Sequence, residues 1–366
     1  MEGPDSIIKI STPGRICLFG EHQDYLKLPV IAAAISKRVA VEGKRINEDL
    51  VRIQLPDINE EDRFQIIPEI PYLKERDYLR SALNILQRAG FTFTGGINCT
   101  VKGEIPINTG TSSSSALIVA WINFLSRISD QKQILPAEKI AELAYKSEVL
   151  EFSEPGGMMD HYSTAIGGII HLSSDPFIRI EKIKPLDSAF ILGNSEEPKD
   201  TTGILARVKQ GVIRIISGLK ERYPEFDLRN ISPEDLSIYE KDLTHDEMNL
   251  LNGTITNRVI TEQAFKVLKS ESIDHSLLGK LLNRHQAVLR NDLKISTEKI
   301  DRMINTALDA GALGCKINGS GGGGCMFAYA PFNPEKVLEA VRIIAPDSYI
   351  VYVDEGTRSE NITGIL

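Results

Sequence analysis

One stretch constrains this chain more than any other, residues 104–120, which read EIPINTGTSSSSALIVA. A short apolar strand end meets Pro106, a turn rich in Gly, Ser and Thr follows, and an apolar helical run begins at Ala116. Small side chains let the backbone approach a ligand, and the next helix offers unpaired N–H groups and a positive dipole end. The stretch therefore predicts a phosphate site. The alternatives are a flexible linker or a helix cap, but a linker usually lies between polar segments and this loop lies between apolar ones.

Length and charge limit the class of protein. The 366 residues predict about two domains with sizeable cores. A net charge of −8 argues against non-specific nucleic-acid binding, but not against a small anionic ligand. No apolar run approaches the roughly 18 residues of a membrane helix, and the N-terminus does not resemble a signal peptide. We therefore expect a cytoplasmic protein with no membrane and no nucleic-acid partner.

Cysteine spacing points to the same compartment. The four cysteines lie far apart in apolar contexts and form no CxxC pair: Cys17, Cys99, Cys315 and Cys325. Buried free thiols are expected in a reducing cytoplasm, and the spacing does not favour a zinc site.

The apolar periodicity predicts alternating strands and helices. Two short strands, Ser6–Ile10 and Arg15–Phe19, are expected around a turn at Thr12–Gly14. Helices are predicted at 78–89, 116–128, 137–152, 202–219, 257–269, 277–293 and 297–310. The charged region 223–246 reads as turns, and a domain boundary is placed near Ala189.

Two polar clusters follow apolar runs. Glu21, His22 and Asp24 come directly after a predicted strand, where binding sites commonly lie, although a solvated turn is the alternative. Asp160 follows two glycines and two methionines, so it is either a helix N-cap or a working carboxylate. The helix before it carries Glu142, Glu148 and Glu151, which by default form a solvated face.

A second glycine-rich loop, Asn318–Gly324, joins two short apolar strands. It is either a flexible hairpin tip or a loop that contacts a ligand. Several phosphate-binding machineries are excluded: the chain has no Walker A loop, no protein-kinase signature and no dinucleotide fingerprint.

Four segments, in this order, resemble motifs of the GHMP kinase superfamily, in the form seen in galactokinases: PGR through GEHQDY, IPINTGTSSSSA, PGGMMD and KINGSGGGGC. The resemblance implies an α+β fold with two domains, here residues 1–190 and 191–366. The first would be similar to domain 2 of ribosomal protein S5, with an uncommon left-handed βαβ crossover, and the second would be ferredoxin-like. ATP would bind in the cleft between them.

The resemblance also implies roles for single residues. Asp160 matches the catalytic base, and Arg15 matches the cation beside it. Ser114 and Glu148 match the two Mg²⁺ ligands, with Glu151 as the fallback. The positions that would bind the sugar are Glu21, His22, Asp24 and Gly157. The positions that would bind ATP phosphates are Asn108, Thr109, Gly110, Thr111, Ser112, Ser113, Ser114, Ser115, Gly321 and Gly322.

The resemblance therefore implies an ATP- and Mg²⁺-dependent kinase of a small molecule, acting as a monomer or homodimer. The expected acceptor is galactose or a related aldose, phosphorylated at its anomeric hydroxyl. Gln23 and Asn108-Thr109 depart from the galactokinase pattern, GSGGGGC is closer to the general superfamily, and the segment 193–201 resembles mevalonate-type members more. A mevalonate-type or uronic-acid kinase thus remains an alternative, as do a sugar and ATP sensor without turnover and a purely structural protein.

Overall fold

The computed structural model describes residues 6–107, 109–198 and 201–360. The strands of the larger of its two sheets are β1 (Ile8–Phe19), β2 (Val30–Ile46), β3 (Leu50–Leu55), β4 (Glu60–Gln65), β5 (Gly96–Gly103), β6 (Ile169–Ser173), β7 (Arg179–Ile183) and β12 (Arg358–Glu360). Their order is β12-β1-β2-β5-β3-β4, and β6 pairs with both β2 and β7. All pairings in this sheet are antiparallel except that of β3 with β5.

The smaller sheet is antiparallel, with the order β11-β8-β10-β9. Its strands are β8 (Phe190–Asn194), β9 (Gly314–Ile317), β10 (Cys325–Tyr329) and β11 (Ser348–Val351). The helices are α1 (Tyr78–Arg88), α2 (Ser113–Ile128), α3 (Ala137–Tyr145), α4 (Met159–Ile166), α5 (Thr201–Arg222), α6 (His245–Leu268), α7 (His275–Asn291), α8 (Glu298–Asp309) and α9 (Pro334–Arg342).

Strand β1 lies at the junction of two hydrophobic cores. Ile16 and Leu18 pack with the smaller sheet and with α6, α7 and α8. Cys17, between them, packs with the core that α1 to α4 form. Because successive side chains of a strand point to opposite faces, β1 is buried on both sides. The residues that directly follow β1 therefore lie between the two halves of the molecule.

The predicted turn at Thr12–Gly14 is wrong. Strand β1 runs continuously from Ile8 to Phe19, and its register to β2 shifts between Pro13 and Gly14. A bulge accommodates proline, which has no N–H to donate to the ladder. The bulge also brings the chain to the serine-rich loop, since the Arg15 N–H donates to the Thr111 carbonyl over 3.1 Å.

Several helix limits also differ from the prediction. Helix α6 begins at His245 rather than 257, behind a capping box in which Thr244 and Glu247 bond each other's backbone N–H groups. The sequence contains this S/T-x-x-E pattern, but the charged residues around it led to a prediction of turns. Residues Pro233–Asp242 form a 3₁₀ helix rather than turns. Helix α9, which opens with Pro334, was not predicted.

The last described strand, β12, returns to the larger sheet and pairs with β1. The predicted limits 1–190 and 191–366 remain a prediction. All four cysteines are buried free thiols, as expected. Among the described residues, no helix has the length and apolar character needed to cross a membrane.

Candidate active site

Arg15 and Asp160 meet in the cleft between the two halves. Arg15 lies on β1 beyond the bulge and is 4% exposed. Its Nε donates to Asp160 Oδ1 over 2.9 Å, and its Nη2 lies 2.8 Å from the same oxygen. Asp160 stands in the first turn of α4, and a third of its side chain is open to the cleft. Met158 is the N-cap of this helix and Asp160 is its second residue, so the predicted N-cap alternative does not describe Asp160.

The environment keeps the Asp160 carboxyl ionised. Burial alone would raise the pKa of Asp160, but the charge of Arg15, the nearby Ser112 hydroxyl and His161 outweigh it. The net effect places the pKa below its ordinary value of 3.8. An ionised carboxylate that faces an open cleft can accept a proton from a bound hydroxyl group.

The serine-rich loop ends in a left-handed residue directly before α2. Ser112 has a φ of 60°, and its Oγ is buried close to Asp160. The Ser114 side chain is exposed at the N-terminal end of α2. The loop therefore offers hydroxyls and free helix N–H groups to the same cavity. This arrangement suits an anion.

Other predicted loop residues face inwards. The Thr109 and Thr111 hydroxyls bond each other over 3.0 Å, and Thr109 also donates to the Pro106 carbonyl. They shape the loop, whereas Gly110 and Ser112 to Ser115 line the cavity. Asn108 lies outside the described residues.

Glu148 and Ser114 line the same cavity, as a shared metal ion would require. Glu148 lies in a π-helical turn, Lys146–Leu150, that continues α3, where one continuous α-helix was predicted. Its Oε2 lies 2.7 Å from His161 Nε2. The fallback ligand, Glu151, instead accepts hydrogen bonds from Tyr72 and Arg88 outside the cavity. No group of three or more His, Cys, Asp or Glu side chains in the described ranges could hold a metal alone. Glu148 and Ser114 offer carboxylate and hydroxyl oxygens, the kind of ligand that Mg²⁺ prefers.

Asp24 and Gly157 pack against each other in the wall of the cavity. Asp24 accepts the backbone N–H groups of Tyr25 and Met159 over 2.9 and 3.2 Å. Burial raises the pKa of Asp24, which these N–H groups partly offset. A Cβ on Gly157 would lie 1.9 Å from Asp24 Oδ2. Only glycine therefore permits this approach.

Glu21 and His22 reach across to the C-terminal half. Glu21 is 1% exposed and forms an ion pair with Lys316. His22 Nε2 lies 3.0 Å from the Ser320 carbonyl, and Nδ1 lies 2.7 Å from the Tyr25 hydroxyl. A carbonyl only accepts, so Nε2 carries a proton and donates to the Ser320 carbonyl. Both side chains border the cavity and also hold the halves together.

The glycine-rich loop contributes different residues from those predicted. Gly319 and Ser320 line the cavity, but Gly321 and Gly322 do not. A Cβ on Gly321 would lie 2.5 Å from Ile295 Cβ, and one on Gly322 would lie 2.0 Å from Ile204 Cδ1. These two glycines let the loop pack on its own domain. Their predicted contact with the nucleotide remains a prediction.

The cavity has a volume of about 260 Å³. Sequence reasoning missed its outer rim, where Arg76 and Glu154 form a bidentate ion pair of 2.6 and 2.8 Å beside Tyr78. Arg76 also has a positive φ of 60°, which no local sequence signal marks.

Comparison with known families agrees with this architecture. Residues 77–168 match the GHMP kinases N-terminal domain, residues 264–347 match the GHMP kinases C-terminal domain, and residues 3–45 match the galactokinase galactose-binding signature. The chain belongs to the GHMP kinase family. Members of this family are phosphotransferases that use ATP as phosphate donor.

Two kinds of relative are equally similar in sequence. A mevalonate kinase of Thermococcus onnurineus is 30% identical, over 96% of this chain and 98% of its own. A galactokinase of Haemophilus influenzae is also 30% identical, over 93% of this chain and 89% of its own.

Solved structures show the same fold. The Lactococcus lactis galactokinase complexed with galactose has a TM-score of 0.86 at 21% identity, covering 97% of this chain and 95% of that one. The Methanococcus jannaschii mevalonate kinase has a TM-score of 0.72 at 20% identity, covering 96% and 100%. The predicted two-domain α+β fold is confirmed.

Proposed function

We propose that this chain transfers the γ-phosphoryl group of ATP to a small neutral sugar. The acceptor is galactose or a related aldose, and the reacting group is its anomeric hydroxyl. The observation that carries the proposal is the Arg15-bound carboxylate of Asp160, which opens into the same cavity as the serine-rich loop. Asp160, which can accept a proton, therefore lies in the same cavity as a loop that can bind phosphate.

In this proposal, each residue has one task. Asp160 accepts the proton of the attacking hydroxyl. Arg15 keeps Asp160 ionised and stabilises charge on the transferring group. Backbone N–H groups of the loop and of α2 hold the phosphates. Ser114 and Glu148 would hold Mg²⁺, which neutralises phosphate charge when bound.

The charges that line the cavity favour a neutral acceptor. Among the described lining residues, the two arginines, Arg15 and Arg76, each pair with a carboxylate. A carboxylate on the acceptor would have to compete with Asp160 or Glu154 for them. Asp24 would accept hydrogen bonds from sugar hydroxyls. The galactose-binding signature at residues 3–45 supports the same choice.

Mevalonate is the second candidate acceptor. It rests on the 30% identity to mevalonate kinases over nearly the whole chain. For that acceptor, Arg15 or Arg76 would have to bind the mevalonate carboxylate, and so exchange its present partner.

A single assay tests these candidates. ADP release is measured with Mg-ATP across free sugars, uronic acids and mevalonate, and the product is located by ³¹P NMR. Turnover of one aldose with phosphate on its anomeric carbon is expected. Turnover of mevalonate alone would contradict the sugar proposal. ATP binding without turnover of any acceptor would favour a sensor.

A further inference from the structure

The buried side chain of Asn318 joins three separate parts of the active-site region. Asn318 directly follows β9 and is fully buried. Its Oδ1 accepts the Cys17 N–H of β1 over 2.9 Å, and its Nδ2 donates to the Gly110 carbonyl over 2.9 Å. Its own N–H donates to the Cys325 carbonyl of β10. One amide therefore ties the smaller sheet to β1 and to the serine-rich loop.

The Gly110 carbonyl is shared with a residue of the proposed catalytic pair. Arg15 Nη1 donates to this oxygen, while Arg15 Nε and Nη2 contact Asp160. A carbonyl oxygen has two lone pairs, and Asn318 and Arg15 fill both. The position of the Gly110 carbonyl therefore helps to fix the position of the Arg15 guanidinium.

We propose that Asn318 is a positioning residue for phosphoryl transfer. It fixes the Gly110 carbonyl, which orients Arg15, and Arg15 in turn holds Asp160. The Cys17 bond makes this arrangement depend on the docking of β9 against β1. Asn318 does not itself line the cavity. The catalytic consequence rests on the proposed function, whereas the effect on Arg15 does not.

The chemistry of the side chain suits this task. The Asn318 amide has an acceptor and a donor at the two ends of one planar group, so it can bond an N–H of one segment and a C=O of another at the same time. Leucine has a similar size but neither group. An ionised aspartate keeps the acceptor for Cys17, but it replaces the donor to Gly110 with a negatively charged oxygen.

A purely structural amide bridge is the alternative, and the chain contains a matched example. Asn283 on α7 accepts the Cys315 N–H over 2.9 Å and donates to the Leu313 carbonyl over 3.1 Å. It supports the same strand, β9, but within the described part of the chain its side chain forms hydrogen bonds with Leu313 and Cys315 and not with Gly110 or Arg15. Asn283→Leu is therefore the control for Asn318→Leu.

The first test follows the arginine directly and needs no turnover. Hydrogen exchange of the Arg15 Nε–H is measured by ¹⁵N NMR of the full chain, with the signal assigned from its loss in Arg15→Lys. Asn318→Leu is expected to speed this exchange about tenfold or more, because local opening becomes easier, and Asn283→Leu to leave it within about twofold. Unchanged exchange in Asn318→Leu, or an equal rise in both variants, would overturn the proposal.

The second test is a double-mutant cycle on kcat, with the acceptor that the wild type phosphorylates. If Asn318 acts through Arg15, Asn318→Leu lowers kcat about tenfold or more, but much less when Arg15 is already lysine. Additive losses would contradict the proposal. A wild type that turns over no acceptor contradicts the proposed function instead, and leaves the exchange test to decide the role of Asn318.

If Asn318→Leu does not fold, Asn318→Ala removes the bonds to Cys17 and Gly110 without adding a charge or a larger side chain to the buried site. The same rise in Arg15 exchange is then expected. Wild-type exchange in a folded Asn318→Ala variant would overturn the proposal.

Discussion

The carboxylate of Glu21 accepts a hydrogen bond from the ammonium group of Lys316, and neither side chain is more than 1% exposed. Lys316 also donates to the carbonyls of Cys17 and Ile317 over 3.0 and 2.9 Å. His285 Nε2 lies 3.7 Å from Glu21 Oε2, and burial lowers the pKa of His285 well below its ordinary value. The neutral imidazole leaves Lys316 as the cation that balances Glu21.

Removing this cation should destabilise the fold. Lys316→Met is expected to lower the free energy of unfolding by roughly 3–5 kcal/mol, because it leaves a buried carboxylate unpaired. Urea denaturation measures the change. Lys294→Met is the control, since Lys294 and Asp246 form an exposed pair, worth about 0–1 kcal/mol. Equal losses in the two variants would contradict a buried ion pair, and Lys316→Met with Glu21→Gln should recover part of the loss.

Gly157→Ala should damage acceptor binding. The new Cβ would displace Asp24, so kcat/KM for the acceptor is expected to fall about a hundredfold, as for other misplacements of about 1 Å. Nucleotide affinity, measured by calorimetry, should hardly change. The adjacent Gly156→Ala is the control, because its Cβ would meet only Val149 Cγ2 at 3.7 Å. Similar kinetics for both variants would show that Asp24 does not position the acceptor.

Asp160→Asn should abolish turnover and spare ATP binding. The substitution removes the proposed base but leaves the serine-rich loop, so kcat should fall about 10²–10⁴-fold. ADP release and calorimetry measure the two effects. Asp309→Asn, at the exposed end of α8, should behave as wild type. Turnover of Asp160→Asn within about tenfold of wild type would disprove the assignment of the base.

Arg15 should determine the pH at which kcat/KM falls on the acid side of the pH profile. The pKa of Asp160 lies below its ordinary value in the folded protein, so the base stays ionised until the pH falls through that lowered pKa. Arg15→Met removes the main opposing charge, and burial then raises the pKa. His161 and Asp24 remain as the charged or titratable neighbours. The acid limb of kcat/KM should therefore move to higher pH, whereas Arg15→Lys keeps the charge and should move it less. An unmoved limb in Arg15→Met would exclude Asp160 as the titrating base.

The ion pair between Arg15 and Asp160 also makes the free energy of unfolding depend on pH. Because the folded pKa of Asp160 is depressed, its contribution to stability is present above the ordinary pKa and is lost as the pH falls through the folded one.

Much of the fold and of the candidate site could be predicted from local sequence patterns. Helix α1 was predicted within one residue because its apolar periodicity ends at Gly90. The candidate phosphate-binding loop could be predicted from its small residues between apolar runs. The start of α6 was predicted wrongly because its capping box lies among charged residues. The single strand β1 was predicted as two strands because Pro13 lies at a bulge and not in a turn.

The sequence by itself determined the segments that could bind phosphate, the acids that could take a proton, and the family to which they belong. Only the tertiary structure decided their partners. Glu21 meets Lys316 across 295 positions, and Asn318 meets Gly110 across 208. Such pairs depend on strand register and on how the two sheets dock, which are properties of distant contacts. Periodicity and turn chemistry act over a few residues, so they cannot specify which buried charge will face which.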